Sequence, residues 1–344
     1  MALLEVRHLT TVFRTPFGAV RACDDVSFDV APGEVLGIVG ESGSGKTLTA
    51  LSVLGLVPPP GRIEAGSIRF AGEELVGTPE ARLRRLRGRD IGMVFQDAGR
   101  ALDPVHTIAS QLREAAGKRA DVAALLGRVG LDGRLASRYP HELSGGQRQR
   151  AMIAIAIART PRLVIADEPT TAVDSISQVQ VLHELARIQR ELGCALIVIS
   201  HNLGLISRLA DRVLVMYLGR VMEQNAVRPF VAGPRHPYAR ALLAATPALD
   251  LDRRTGRLAG IRGLPARMIE VPPGCPFHPR CPDAEARCSV EVPAWRAHAD
   301  GSGAACHLLD APAPLPSPVT PGQAQGERFA PAPPAAEIAD GTLP

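Results

Sequence analysis

Gly40-Glu41-Ser42-Gly43-Ser44-Gly45-Lys46-Thr47 is the stretch on which the fold turns. It satisfies the spacing GxxxxGK[ST], with Gly40, Gly45, Lys46 and Thr47 at the required places. The apolar run VLGIV at 35–39 before it reads as a buried strand, and TLTALSVLGL from Thr47 onward reads as a helix. Glycines at 40, 43 and 45 let the backbone turn with its amides aimed inward at a helix N-terminus, an arrangement that surrounds phosphates. In that setting Lys46 reaches the β- and γ-phosphates of a nucleotide, and the Thr47 hydroxyl binds Mg²⁺. Lys46 is one of only two lysines among 39 basic residues, and a compact charge on a flexible stem suits this position.

Downstream, LVIA at 163–166 reads as a second buried strand, ending in Asp167 and Glu168. Asp167 is expected in the Mg²⁺ shell, and Glu168 beside the γ-phosphate as general base for the attacking water. Gln96 follows the strand-like IGMVF at 91–95, and His201 follows CALIVIS at 194–200. In a parallel sheet both emerge at the carboxyl edge, where the phosphates lie, so both are read as closing the catalytic site, with Gln96 also near the metal. Between these strands stands LSGGQ at 143–147, in which Ser144 caps an apolar helix beginning near Gly145.

With these residues in this order, the chain resembles the ATP-binding subunit of an ABC transporter over essentially residues 1–230. P-loop, Q-loop, LSGGQ signature, Walker B strand, D-loop and H-loop all appear in the family's sequence. The resemblance implies an α/β P-loop NTPase (ABC ATPase) domain with a helical signature subdomain over about 97–160, approached by the Arg-rich ARLRRLRGR at 81–89. It implies that residues 40–47, Glu41, Ser42 and Ser44 included, hold ATP with Mg²⁺. Ser144 and Gly146, with Gly145 and Gln147 of the same signature, would then serve the γ-phosphate on a second subunit's P-loop. Each chain would hold half of each site, and ATP would join two chains head to tail. The D-loop TAVDSISQ at 171–178 keeps Asp174 and carries Val173 where the family usually has Leu. Of two aromatics upstream of the P-loop, Phe13 and Phe17, counting back from the strand at 26–30 favours Phe13 as the adenine platform.

A length of 344 residues accommodates one full α/β domain and a smaller appendage. A net charge of +4 with 3% aromatic residues argues against a nucleic-acid partner. No apolar run approaches the roughly eighteen residues of a membrane span, and MALLEVRHLTTVF at the start has no cleavable signal pattern, so a soluble chain is expected. Transport would then require a separate membrane subunit, and the resemblance implies two transmembrane permease subunits, an extracytoplasmic solute-binding protein and a second ATPase subunit, identical or homologous. The chain itself would sit peripherally on the cytoplasmic face of the inner membrane.

Past residue 230 the composition changes. HPYARALL at 236–243 reads as a turn into a short helix, and PPGCPFHPRCP follows at 272–282 in a stretch rich in Pro and Gly. Over about 236–308 this resembles the C-terminal region of oligopeptide/dipeptide (and nickel) ABC importers. FQDAGRALDP at 95–104 departs from that subfamily, which more often has Pro and small polar residues there. The expected division is an ATPase domain at 1–235, a small loop-rich, Cys-containing extension at 236–310, and a disordered Pro/Ala-rich tail at 311–344. Four of six cysteines, Cys275, Cys281, Cys288 and Cys306, lie in the extension. In a reducing cytosol such thiols read first as a metal site, although their spacings match neither a zinc ribbon nor a ferredoxin. The resemblance, through some members of the subfamily, implies a 4Fe-4S cluster, with zinc or free structural thiols as the alternatives. The expected function is an ATPase that energises uptake of a small solute, with di- and oligopeptides foremost and nickel or another solute as the variant. A soluble ABC ATPase of repair or translation usually carries two motif sets or long coiled coils, and neither occurs here.

Overall fold

The computed structural model describes residues 1–170, 175–246, 260–264 and 266–309. The D-loop aspartate Asp174 and the expected tail at 311–344 lie outside the described residues. Twelve strands form two sheets among the described residues. Strands β1 (Leu4–Thr15) and β2 (Gly18–Val30) make an antiparallel hairpin, β3 (Val35–Val39) leads into the phosphate loop, and β4 (Gly61–Phe70) with β5 (Glu73–Glu74) completes the smaller sheet in the order β2-β1-β4-β5. The larger sheet adds β6 (Ile91–Val94), β7 (Leu163–Asp167), β8 (Ala195–Ser200), β9 (Arg212–Tyr217), β10 (Arg220–Ala226), β11 (Trp295–Ala297) and β12 (Gly303–Ala305). Its order is β11-β12-β10-β9-β3-β8-β7-β6, and β9, β3, β8, β7 and β6 run parallel.

The parallel strands are apolar without interruption because both of their faces are covered. Alternation shows in where their side chains go: Leu163 and Ile165 of β7 pack with Leu36 and Ile38 beneath Leu4, Val6 and Val26 of the antiparallel sheet. Val164 and Ala166 face the other way, into a core with Ile153, Ala154 and Leu185 of the helices. Each fully buried Ile or Leu contributes about 1.5–3 kcal/mol, so the two cores together hold the carboxyl edge of the sheet rigid.

The segment after β6 is helical, as expected, with helices Ala98–Ala101, Ile108–Ala116, Val122–Gly127 and Gly145–Ile157. Local capping starts all four: the side chains of Asp97, Thr107, Asp121 and Ser144 accept from the backbone N–H of Gly99, Ser110, Ala124 and Gln147.

The C-terminal extension is built into the same compact unit, which spans Met1–Leu308. Its β12 pairs antiparallel with β10 through Glu223–Ala304 and Gln224–Gly303, and β11 pairs with β12, so the extension lengthens the central sheet. Tyr217 at the end of β9, Tyr238 of helix Pro237–Ala244 and Phe277 form a buried aromatic cluster with centroids 4.7, 5.1 and 5.5 Å apart. His236 caps that helix, its Nδ1 accepting from Tyr238 N–H at 3.0 Å. Nδ1 is therefore unprotonated, and Nε2 finds no hydrogen-bond partner among the described residues.

Burial, and then the Arg240 charge, hold the His236 imidazole down at about 3, against an ordinary value of 6.5. The unfolded chain takes up this proton near pH 6.5 and the folded chain only near 3, so stability is full above that window and declines as pH falls through it. One such proton costs about 1.4 kcal/mol per pH unit. His236→Asn keeps a capping oxygen and removes the titration. Its urea-unfolding free energy should fall less steeply between pH 6.5 and 4 than that of the native chain.

Candidate nucleotide site

The phosphate loop turns from β3 into helix Lys46–Val53 through left-handed backbone at Gly40 (φ 155°), Gly43 (77°) and Gly45 (100°). Two of these are fixed by close approach as well. A Cβ on Gly40 would stand 2.2 Å from the Met216 carbonyl oxygen, and one on Gly45 2.4 Å from that of Ala22. The loop borders a cleft of about 290 Å³ lined by residues 42–48, Ala22, Gln96, Glu168 and Met268. An anion cradle of backbone amides at a helix N-terminus is thus present where the sequence predicts it.

Lys46 is buried and its Nζ donates to the carbonyls of Gly40 and Glu41, both at 2.9 Å, and to Ser44 Oγ at 3.3 Å. Desolvation lowers its affinity for a proton, opposed by the charges of Glu168, Asp167 and Glu41. Asp167 is 2% exposed, and burial pushes its carboxyl up to about 6, while a hydrogen bond from Thr47 works against that rise. Thr47 Oγ1 donates to Asp167 Oδ1 at 3.2 Å. One hydroxyl and one carboxylate beside a phosphate seat are the sparse oxygen set that Mg²⁺ takes when phosphates and water complete its shell.

Glu168 stands on left-handed backbone with φ 43°, a conformation that costs of order 1–3 kcal/mol in a residue with a side chain. Its N–H donates to the Ile199 carbonyl at 2.9 Å, which ties the β7 end to β8. Gln96 Nε2 donates to Glu168 Oε2 at 3.2 Å, and His201 Nδ1 lies 3.4 Å from the same oxygen. Gln96, Glu168 and His201 therefore meet at the carboxyl edge beside the phosphate loop.

The signature lies elsewhere. Ser144 and Gln147 form a reciprocal capping box, Ser144 N–H to Gln147 Oε1 at 2.9 Å and Gln147 N–H to Ser144 Oγ at 3.3 Å. No residue from 143–147 lines the phosphate cleft of its own chain. Phe13 is half-buried with its ring over Gly61, Phe17 is 86% exposed in the β1–β2 turn, and neither lines the cleft. Sequence reasoning missed Met268, Tyr238 and Arg280, which the extension brings to the loop: Glu41 N–H donates to Tyr238 Oη at 2.9 Å, and Arg280 grips the Glu41 carboxylate. Tyr238 and Arg280 show in sequence only as members of HPYARALL and HPRC, which gives no spatial address, and Met268 belongs to neither motif.

A cradle for anions beside a carboxylate held in a strained pose suits a phosphate that water is to attack, and the class is a P-loop ATPase. Comparison with known proteins narrows this. The ABC transporter family matches residues 23–171, and the oligopeptide/dipeptide transporter C-terminal region matches residues 222–288. The dipeptide transport ATP-binding protein DppD of Escherichia coli (strain K12) is 42% identical over 319 residues, covering 89% of this chain and 97% of that protein. A protein of Brucella abortus (strain 2308), provisionally named a peptide import ATP-binding protein, is 47% identical over 302 residues, 85% of this chain and 90% of its own. Among solved structures, dimeric MJ0796, a bacterial ABC transporter cassette, superposes with TM-score 0.59 at 26% identity, over 65% of this chain and 99% of that one. CbiO1 from Clostridium perfringens, part of the ABC transporter complex cbiONQ, gives 0.58 at 26%, over 67% and 91%. The chain belongs to the ATP-binding subunits of ABC transporters, in the oligopeptide/dipeptide importer subfamily. It is an ATP-hydrolysing subunit, with Mg²⁺ and ATP as its working ligands, and no helix among the described residues is long and apolar enough to cross a membrane.

Gly45→Ala tests the cradle directly. The added methyl must displace the Ala22 carbonyl and accept a left-handed backbone, so ATP binding measured with a fluorescent analogue should weaken by about five- to 150-fold, for a strain of about 1–3 kcal/mol.

Proposed function

We propose that this subunit powers the uptake of di- or oligopeptides by closing on ATP with a second ATPase subunit and reopening after hydrolysis. The observation that carries the catalytic part is the convergence of Gln96 and His201 on one oxygen of Glu168, at 3.2 and 3.4 Å, beside the Lys46 cradle. In this reading the loop amides of residues 40–47 and Lys46 bind the phosphates. Thr47 and Asp167, with Gln96 alongside, hold Mg²⁺, which when bound offsets phosphate charge. Glu168 takes the proton of the attacking water, and Gln96 and His201 orient that carboxylate and the γ-phosphate. Phe13 supports adenine beyond the cleft, and Asp174 belongs to the contact between subunits. Ser144, Gly145, Gly146 and Gln147 serve the partner's nucleotide: their exposed helix N-terminus is anion-seeking, and the chain's own cleft does not use it.

Peptide as cargo is supported by the names of the relatives and by the extension's family match. Two permease subunits and an extracytoplasmic solute-binding protein complete the assembly, with this chain peripheral on the cytoplasmic face of the inner membrane. We assign residues 1–235 to the engine and 236–310 to the subfamily's extension.

The same extension offers Cys275, Cys281, Cys288 and Cys306 as ligands for a 4Fe-4S cluster. Burial raises the Cys275 thiol to about 11, and the charges of Cys306, Cys288 and Cys281 add to the rise, so the four sulfurs share one neighbourhood. The Cys275 N–H donates to the Cys288 carbonyl at 2.8 Å, and the Glu285 N–H to Cys288 Sγ at 3.4 Å. Among the described residues no three His, Cys, Asp or Glu side chains are grouped as a bound metal would need, and zinc is the alternative ligand for the same thiols. Protein purified without oxygen should carry iron and acid-labile sulfide, and absence of both would remove the assignment.

Glu168→Gln is the decisive variant. It should keep nucleotide binding and lower turnover by about 10²–10⁴-fold, since the base is lost with little change of shape. Turnover within twofold of native would sink the assignment of Glu168 as base. A tagged chain drawn gently from native membranes should bring multi-span permeases with it, and recovery of soluble partners alone would oppose the transport reading.

A further inference from the structure

Glu41 is an awkward residue for its place. It is a carboxylate inside a loop whose purpose is to attract phosphate, its own carbonyl accepts from Lys46 Nζ at 2.9 Å, and its charge is felt at that ammonium. Left alone it would repel the phosphates and compete with them for Lys46. It is not left alone. Arg280, 239 positions away in the extension, meets it with both ends of its guanidinium, Nη1 to Oε2 at 2.5 Å and Nη2 to Oε1 at 2.9 Å. A two-pronged pair of this kind is the strong form of a charged hydrogen bond.

The guanidinium is itself locked. Its side chain is 5% exposed, Nη1 also donates to Tyr217 Oη at 3.2 Å, and Nε donates to the Arg262 carbonyl at 2.8 Å. It lies over the rings of Tyr217 and Phe277 at 5.8 and 5.9 Å. Tyr238 adds a second hold from the extension by accepting the Glu41 N–H, so that residue is turned away from the cleft and toward Arg280.

We propose that Arg280 is a positioning residue for the nucleotide: it neutralises Glu41 from behind the phosphate loop, and through it the C-terminal extension sets the affinity for ATP. The inference rests on the ATP-binding reading of the cleft. It makes the extension part of the nucleotide site, although Arg280 does not line the cleft.

Charge neutralisation predicts a reciprocal rescue that plain packing does not. In the full-length chain, Arg280→Gln should raise the dissociation constant for a fluorescent Mg-ATP analogue, and the KM for ATP, about tenfold, with kcat within about twofold. Adding Glu41→Gln to Arg280→Gln should return both to within about threefold of Glu41→Gln alone, since the offending charge is gone. Melting temperatures show whether each variant is folded. Should Arg280→Gln not fold, Arg280→Lys keeps the charge without the fork, and binding near the native value is expected. Unchanged affinity in Arg280→Gln, failure of Glu41→Gln to rescue it, or weak binding by folded Arg280→Lys would overturn the proposal. If native protein bound no nucleotide, the ATP reading would fall with it. Native binding with a freely hydrolysing Glu168→Gln would instead damage only the assignment of the base.

Discussion

Two carbonyl oxygens press on the phosphate loop where no side chain stands. Met216 of β9 sits behind Gly40 and Ala22 of β2 behind Gly45, at distances that leave no room for a methyl. The turn between β9 and β10 is stitched to the same place: Gly219 N–H donates to the Ser44 carbonyl, and the Gly219 carbonyl accepts from Asp24 N–H, both at 2.9 Å. Arg220 then pairs with Asp24 at 2.6 Å. One joint therefore fixes the antiparallel sheet, the parallel sheet and the loop to one another. Because buried parallel strands need cover on both faces, the smaller sheet lies where its β2 can reach the loop, and packing becomes site geometry.

The chemistry of the site follows from burying opposite charges side by side. Desolvation drives Asp167 toward its protonated form and Lys46 toward its neutral form, and each is partly restrained by the other's charge. Lys46 is held by neutral oxygens and Asp167 by one hydroxyl, so a ligand bringing a cation for the carboxylate and anions for the ammonium would improve on both. Mg-ATP would supply both, and in doing so would offset the desolvation of the two groups. The strained backbone at Glu168 belongs to the same logic, since a carboxylate held above the edge by its neighbours needs little rearrangement before reaction.

Most of the engine was legible in sequence because its signals are local. Phosphate-loop spacing, buried runs such as LVIAD and ALIVIS, and the Ser144–Gln147 capping box each depend on residues within a few positions. Gln96, Glu168 and His201 were legible as strand ends, which a parallel sheet gathers on one edge. What stayed hidden depends on long-range contact. Arg280 reaches Glu41 across most of the chain, and Met268 enters the cleft from a segment with no periodic pattern. The three-residue strands Trp295–Ala297 and Gly303–Ala305 are too short to show alternation, and their role appears only once β10 offers an edge to pair with.

That edge explains why an appended segment came to bear on the nucleotide at all. Rich in Pro and Gly, the extension has too little apolar surface for an independent core. It obtains order by borrowing the host's structure: β12 covers the open edge of β10, and Phe277 and Tyr238 pack against Tyr217 at the end of β9. Tyr217 directly follows Met216, whose carbonyl presses on Gly40, and its hydroxyl accepts from Arg280. A segment anchored at that point is joined to the phosphate loop through Tyr217 and Arg280. If Arg280 sets the affinity for ATP as proposed, linkage requires that ATP bound in the cleft in turn stabilise the extension.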